Sequence, residues 1–298
     1  MRWTLWTAFA ALCLLSGTSW VIPDSANPLP LLEQQGILFG VIGLIAVLIA
    51  GRRLWFGVAG GRWVRLAAVS VMFFGLPMVV GEYGRGSVST ITRSALFAMV
   101  PVVVVMVVAS AADTTEGQEC RARRFLVPAL VGLGGLLLLL PLEVSGSIRG
   151  RVMLALVCAA VVFAGLASVW LYRLMREFNF VEAVAIAGVA NALFLLGWSV
   201  VRGDVVWRLS ALAPVVSVTS LVDLVEILLI VWLLRTMSPI RFAARYLAIP
   251  LLTILESYVL MRPEWTVRMV SGTVLLAVGA GVLLFWKADA EETMLSLQ

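Results

Sequence analysis

The sequence predicts an all-α polytopic membrane protein, with ten transmembrane helices arranged as two inverted repeats of five helices. Three observations predict this fold: an extremely apolar composition, ten apolar stretches of membrane-spanning length, and a spacing of proline and glycine that recurs in both halves. Of the 298 residues, 62% are hydrophobic and 13% are charged. Soluble domains average about 45–50% apolar and about 25% charged residues, so a soluble fold is excluded.

The composition also excludes several kinds of chemistry. Histidine is absent, which removes the commonest general base and metal ligand. Cys13, Cys120 and Cys158 lie far apart and form no CxxC motif, so they predict neither a disulfide framework nor a metal site. No GxxxxGK[ST] loop is present, so we expect no ATP hydrolysis. We expect no cofactor, no bound metal and no nucleic-acid partner.

A helix needs about 20 mainly apolar residues to cross a bilayer. The first candidate begins after Arg2 like a secretory signal, but its length favours a retained helix. The longest polar connection, Asp113 to Arg124, is a loop by composition. Ten spans are predicted, at 3–22, 33–50, 64–82, 88–111, 125–142, 151–172, 180–200, 211–234, 239–260 and 267–286.

The basic residues near the span ends predict the orientation. Twenty-one of the 22 are arginine, and fourteen lie on the side that carries both termini, against eight on the other side. Cytoplasmic loops carry the excess of Lys and Arg. We therefore expect a multi-pass protein of the cell inner (plasma) membrane with cytoplasmic N- and C-termini.

Two stretches repeat a common pattern. The spans 88–111 and 239–260 each open with serine and arginine and carry a proline, Pro101 or Pro250. A similar glycine-rich motif follows each proline, "VGLGG" from Val131 and "VGAG" from Val278, and its first glycine comes 31 residues after Pro101 (Gly132) and 29 residues after Pro250 (Gly279). The pattern predicts a first repeat at 1–145 and a second at 146–298, which ends in a short cytoplasmic tail. Five spans is an odd number, so the second repeat enters the membrane inverted, as in many transporters.

The repeated prolines and glycines suggest different roles. A mid-helix proline is either a tolerated kink or a bend that shapes a cavity or gate; its recurrence favours gating roles for Pro101 and Pro250. The glycine-rich faces of the spans 125–142 and 267–286 predict close helix packing.

The segment from Ile230 to Leu284 resembles the second EamA-type repeat of the drug/metabolite transporter superfamily. The first half matches more loosely, and the sequence is similar to a divergent member. In "LSGTSW" (Leu15 to Trp20), Ser16 stands where the family usually has tryptophan, and Pro263 precedes Glu264 where the family has glycine. The matching positions are Ser87, Pro101, Gly132, Gly134, Trp232, Ser238, Pro250, Glu264, Gly272, Gly279 and Gly281.

The resemblance implies a specific architecture and mode of action. It implies ten helices with both termini inside and a central cavity lined by the first, third, fourth, sixth, eighth and ninth spans. It also implies alternating access, often for the export of small metabolites. The substrate does not carry over from the resemblance.

Two carboxylates interrupt the span 211–234 near its middle. An ionisable side chain there costs roughly 2.5–3.5 kcal/mol, so it normally faces a bundle interior or a cavity. Asp223 and Glu226 are three residues apart and lie on adjacent parts of one helix face. Either they are neutral and hydrogen-bonded to neighbouring helices, or one of them carries a proton or anchors a substrate cation. We favour the second interpretation, because an apolar residue would suffice for packing.

The span 239–260 adds Arg245 and Glu256, which should share a face about 16 Å apart along the axis; snorkelling to the interface is the alternative for each. Arg93 is a further candidate for substrate or proton binding, although its position also suits snorkelling. Tyr246 and Trp20 are candidates to line the cavity. Asn191 is expected to join helices rather than contact a ligand.

The function predicted from these features is secondary transport of a small organic solute, not enzymatic catalysis, within the lipid bilayer. A cavity containing both arginine and carboxylates would suit a zwitterion. The alternatives are a membrane-embedded, metal-dependent lipid-modifying enzyme, in which Asp223 and Glu226 would bind a divalent cation, and a non-transporting scaffold.

Overall fold

The computed structural model describes residues 2–18, 29–51, 61–111, 124–140, 145–203, 205–206, 218–261 and 266–286. Within these ranges the protein is built from helices and contains no β-strand. The helices are α1 Arg2–Thr18, α2 Leu31–Ala50, α3 Arg62–Ser70, α4 Leu76–Tyr83, α5 Thr90–Phe97, α6 Val100–Ala111, α7 Leu126–Leu139, α8 Ile148–Arg176, α9 Phe180–Arg202, α10 Val218–Thr236, α11 Pro239–Ala243, α12 Arg245–Met261 and α13 Val267–Phe285. A π-helical turn, Val71–Gly75, joins α3 to α4.

The length and composition of the helices confirm a polytopic membrane protein. In the described part of the chain, seven helices are long and apolar enough to cross a membrane, counting α3–α4, α5–α6 and α11–α12 as continuous spans. Each overlaps a predicted span. Two further apolar helices, Trp3–Thr18 and Leu126–Leu139, are shorter. Helix α10 has the length but carries three ionisable residues, Asp223, Glu226 and Arg235.

The two repeated prolines lie in different settings, one beside a break in its span and the other inside a helix. The break between α5 and α6 falls at Ala98 and Met99, so Pro101 is the second residue of α6 rather than a mid-helix residue. A proline in the first turn costs no hydrogen bond, because that N–H has no intrahelical acceptor. Pro250 instead lies inside α12, where it removes the bond that its N–H would donate to the carbonyl of Tyr246.

Two close helix crossings hold the bundle together, and both depend on glycine. Helices α2 and α9 cross where a Cβ on Gly188 would lie 2.6 Å from Cα of Gly43. Helices α7 and α13 cross where a Cβ on Gly279 would lie 2.4 Å from Cα of Gly132. This second crossing confirms the packing role predicted for the glycine-rich faces. Each pair of backbones is in direct contact, which maximises dispersion attraction where no hydrophobic effect operates.

We expect Gly279→Ala to destabilise the protein, because the added methyl group would overlap the backbone of Gly132 and force α7 and α13 apart. Overpacking of this kind costs about 1–3 kcal/mol. Thermal unfolding of the purified protein in detergent measures the loss. Gly281→Ala on the same helix is the matched control, since a Cβ at Gly281 would have no neighbour within 4 Å among the described residues beyond its own stretch of helix. Equal melting temperatures for the two variants would contradict the crossing.

Candidate functional site

A cavity of about 810 Å³ lies between α1, α4, α5 and α12. Its walls combine apolar side chains with hydroxyl groups and one charged group, the guanidinium of Arg93. The lining residues are Ser16, Gly17, Pro77, Met78, Gly81, Thr90, Ile91, Arg93, Ser94, Phe97, Leu140, Tyr246, Ile249, Pro250, Thr253 and Ile254. This volume and this mixture suit a small organic molecule.

The helices around the cavity match part of the set that the family resemblance implies. The lining comes from the predicted first, third, fourth and ninth spans, with Leu140 from the end of the fifth. The sixth and eighth spans contribute no residue to the described lining. Arg93, Tyr246 and Pro250 face the cavity, whereas Pro101 is not among the lining residues.

Asp223 and Glu226 turn to different neighbours, although they share one face of α10. The hydroxyl of Ser16 on α1 donates to Oε1 of Glu226 over 2.5 Å. The side-chain amide of Gln35 on α2 donates to Oδ2 of Asp223 over 3.0 Å. Ser16 also lines the cavity, so Glu226 is one hydrogen bond away from it. Asp223 is bonded to a helix that contributes nothing to the described lining.

Arg245 is buried at the start of α12, with only 6% of its surface exposed, so snorkelling was the wrong alternative for this residue. Its guanidinium lies over three aromatic rings, those of Phe242 (4.3 Å), Tyr246 (4.7 Å) and Phe73 (5.4 Å). Phe73 belongs to the π-helical turn. Desolvated cation–π contacts contribute about 2 kcal/mol or more, which offsets part of the cost of burying the charge.

Tyr246 connects this aromatic cage to the cavity. Its hydroxyl accepts a hydrogen bond from Nη2 of Arg245 over 2.9 Å. Its ring stacks on Phe97, with centroids 6.2 Å apart and planes tilted by 23°. Phe97 and Tyr246 each precede a repeated proline by four residues. That shared offset is the sequence signal that could have identified Phe97, which sequence reasoning missed.

Arg93 is held at the cavity wall by α4 and α5. One terminal nitrogen, Nη1, donates to the carbonyl oxygen of Gly81, and Nη2 donates to the hydroxyl of Thr90 over 3.0 Å. Its Nε–H is buried and has no acceptor in the described part of the chain. The neighbouring carboxylate of Glu82 is paired with Arg85 over 2.9 Å.

Glu256 lies about three turns beyond Arg245 on α12, where a Cβ on Gly17 would lie 3.8 Å from its Oε1. It lines a second, smaller cavity of about 520 Å³ between α1 and α12, whose other walls are apolar apart from Thr18. Several of those side chains are exposed on the outside of the bundle, including Leu14, Leu255 and Val259. Glu256 therefore does not act together with Arg245, although the spacing placed both on one face. Trp20 lies outside the described residues.

Asn191 joins α9 to α3, as predicted. Its Nδ2 donates to the hydroxyl of Ser70 over 3.2 Å and to the carbonyl of Ala187 over 2.8 Å, and the side chain is fully buried. Among the described residues, no group of three or more His, Cys, Asp or Glu side chains could hold a metal ion. Sequence reasoning missed the contacts of Ser16, Gln35 and Thr253, because their partners lie on helices that are distant in the sequence.

Comparisons with known proteins show the fold alone. No family model matches the chain, and no curated protein matches it. Twenty-five chains of solved structures do match. One of them, a crystal structure of a protein without a stated function, has a TM-score of 0.68 and 18% sequence identity. That match covers 95% of this chain and 98% of the other, so the two proteins share a fold over nearly their whole lengths.

A double-mutant cycle tests whether Glu226, and not Asp223, is bonded to Ser16. We expect Ser16→Ala and Glu226→Gln to be non-additive in the free energy of unfolding, with a coupling of about 0.5–3 kcal/mol. Ser16→Ala with Asp223→Asn is the control pair, and we expect it to be additive within about 0.5 kcal/mol. Denaturation of the unmodified protein, the three single variants and the two double variants in detergent gives both values. Stronger coupling of Ser16 to Asp223 would contradict the geometry.

Proposed function

We propose that this protein is a secondary transporter, acting as an exporter of a small organic metabolite by alternating access. The observation that carries the proposal is the open cavity of about 810 Å³ between four helices, whose walls come from both halves of the chain. Its hydroxyl groups and its arginine can orient a solute, while its apolar walls accommodate the body of that solute. Transporters that use inverted repeats place their substrate between the halves, near the bilayer midplane.

Contacts between equivalent residues support the proposal of ten spans in two inverted repeats, 1–145 and 146–298. Two inverted repeats are related by a two-fold axis, and equivalent residues of the two repeats can touch only where they lie next to that axis. Gly132 meets Gly279, and Phe97 stacks on Tyr246. Both pairs match positions in the repeated pattern, one at the first glycine of the VGLGG and VGAG motifs and one four residues before each proline. The second predicted span likewise packs on the seventh through Gly43 and Gly188.

We further propose that the chain is a divergent EamA-type member of the drug/metabolite transporter superfamily. The segment from Ile230 to Leu284 supports this, since its resembling positions have structural roles: Pro250 lines the cavity and Gly279 makes a helix crossing. The cell inner membrane, with cytoplasmic termini, is the proposed location, and the distribution of arginine supports that orientation.

Glu226 is the proposed proton carrier. Its carboxylate is bonded to a hydroxyl that lines the cavity, so a proton can pass between the cavity and the carboxyl through Ser16. Asp223 accepts a hydrogen bond from Gln35 on α2, and its proposed role is structural. The breaks before Pro101 and around Ala244 flank the Phe97–Tyr246 stack, which makes these segments the proposed moving elements.

Counterflow in proteoliposomes tests transport directly. The panel comprises radiolabelled amino acids, nucleosides, sugars, organic cations and short-chain acids. We expect flux of at least one class, and we expect Ile249→Trp to reduce it about tenfold or more by filling the cavity, in line with the cost of misplacing a bound substrate. Leu255→Trp on the same helix is the control, because Leu255 is exposed outside the bundle. A folded protein that moves no solute in the panel would favour a scaffold.

The pH dependence of flux tests the proton carrier. We expect Glu226→Gln to remove the pH dependence, because the amide cannot take up or release a proton, and Asp223→Asn to retain it. Initial rates of uptake and efflux between about pH 5 and 8, the range over which most proteins keep maximal stability, measure the effect. If both variants keep the pH dependence of the unmodified protein, neither carboxylate carries the proton.

A further inference from the structure

The charge of the cavity wall carries an inference about the class of solute. Arg93 is the one charged side chain of the described lining, and no carboxylate is among those residues. Three carboxylates lie close behind the lining: Glu226 accepts from Ser16, Glu82 is paired with Arg85, and Glu256 lines the second cavity on the other side of Gly17. The space that a solute would occupy therefore has a net positive wall.

The guanidinium of Arg93 is only partly satisfied by the protein. An arginine has five N–H donors in a planar fork that matches a carboxylate. The described residues accept only two hydrogen bonds from it, at the carbonyl of Gly81 and the hydroxyl of Thr90. These two bonds fix the plane of the guanidinium, and its Nε–H is buried without an acceptor. No ion pair to Arg93 exists among the described residues.

Helix α5 adds to the positive potential at the same wall. Its N-terminal residue, Thr90, lines the cavity, and its first turn contains no acidic residue. A helix N-terminus carries a partial positive charge that favours a neighbouring anion. Arg93, one turn into this helix, is a cation at the end where a cation is unfavourable. An anion bound at the cavity wall would compensate both charges.

We propose that the cavity binds a small organic carboxylate, with its anionic group on Arg93 and its apolar body against Phe97, Ile249 and Ile254. This inference rests on the proposed function, because it takes the cavity as the substrate site. It differs from a zwitterion site in that the described lining offers no carboxylate for an amino group. The hydroxyl of Ser94 can donate to the bound solute, whereas the hydroxyl of Thr253 already donates to the carbonyl oxygens of Ile249 and Gly17 and can only accept.

Equilibrium binding to the purified full-length protein tests the proposal with benzoate, benzamide and benzylamine, which share a body and differ in charge. We expect benzoate to bind at least about tenfold more tightly than benzamide, a difference of 1.4 kcal/mol, and benzylamine to bind more weakly than either. In Arg93→Gln, benzoate and benzamide should bind equally. Arg149→Gln is the control for long-range charge, because Arg149 is exposed and does not line the cavity, and it should keep the preference for benzoate.

A second pair of variants protects the test against misfolding of Arg93→Gln. Ser94→Asp places a carboxylate in the lining and should abolish the preference for benzoate. Ser94→Asn introduces a side chain of the same shape as aspartate but without the charge, and it should keep the preference. Equal or tighter binding of benzamide or benzylamine to the unmodified protein, or no saturable binding of benzoate, would overturn the carboxylate inference. So would an unchanged preference in both Arg93→Gln and Ser94→Asp.

Binding and flux separate the two proposals. Benzoate binding through Arg93 without flux of any solute would leave the carboxylate site standing and refute transport. Flux of neutral or cationic solutes alone, with no preference for benzoate, would leave transport standing and refute the carboxylate site.

Discussion

A polar group inside this apolar bundle is costly unless it finds a partner within the protein. A buried hydroxyl or amide without a partner costs several kcal/mol, and a buried charge costs more. This constraint fixes how the inner helices meet: Ser16 brings α1 to Glu226, Gln35 brings α2 to Asp223, and Arg245 draws the π-helical turn and α11 around its guanidinium. The cavity lies beside this polar interior, and it shares Ser16 and Tyr246 with it.

Close helix crossings at glycine residues fix the positions of the helices that make these polar contacts. The crossings of α2 with α9 and of α7 with α13 place backbone against backbone, so neither pair can slide without steric overlap. The elements around the cavity are less regular. A π-helical turn, a break at Ala98 and Met99, a break at Ala244 and the internal Pro250 all lie within or beside them. Rigid pairs around interrupted helices are the arrangement that alternating access requires, which is why the proposed movement is assigned to the interrupted segments.

The aromatic cage and the carboxylates have different parts in the proposed cycle. Arg245 is enclosed by aromatic rings and by the hydroxyl of Tyr246. It therefore stabilises the N-terminal end of α12 and does not meet the solute in this conformation. Glu226 has a direct link to the cavity through one hydroxyl. Arg93 is at the wall itself. Three ionisable residues within predicted spans thus have three different roles: Arg245 is a structural cation, Glu226 is the proposed proton carrier, and Arg93 is the proposed solute contact.

The sequence by itself determined the membrane class of the protein, the location of most helices and the glycine-rich packing faces of α7 and α13, because hydrophobic length and small-residue periodicity are local properties. It also identified Arg93, Tyr246 and Pro250 as cavity candidates. Only the tertiary structure decided that Glu226 is bonded to Ser16 and Asp223 to Gln35, since each bond joins residues about 190–210 positions apart and no local pattern records which helices become neighbours. For the same reason it separated Arg245 from Glu256: helical spacing places both on one face, but the helices packed against that face decide which side chain is caged and which lines a different cavity.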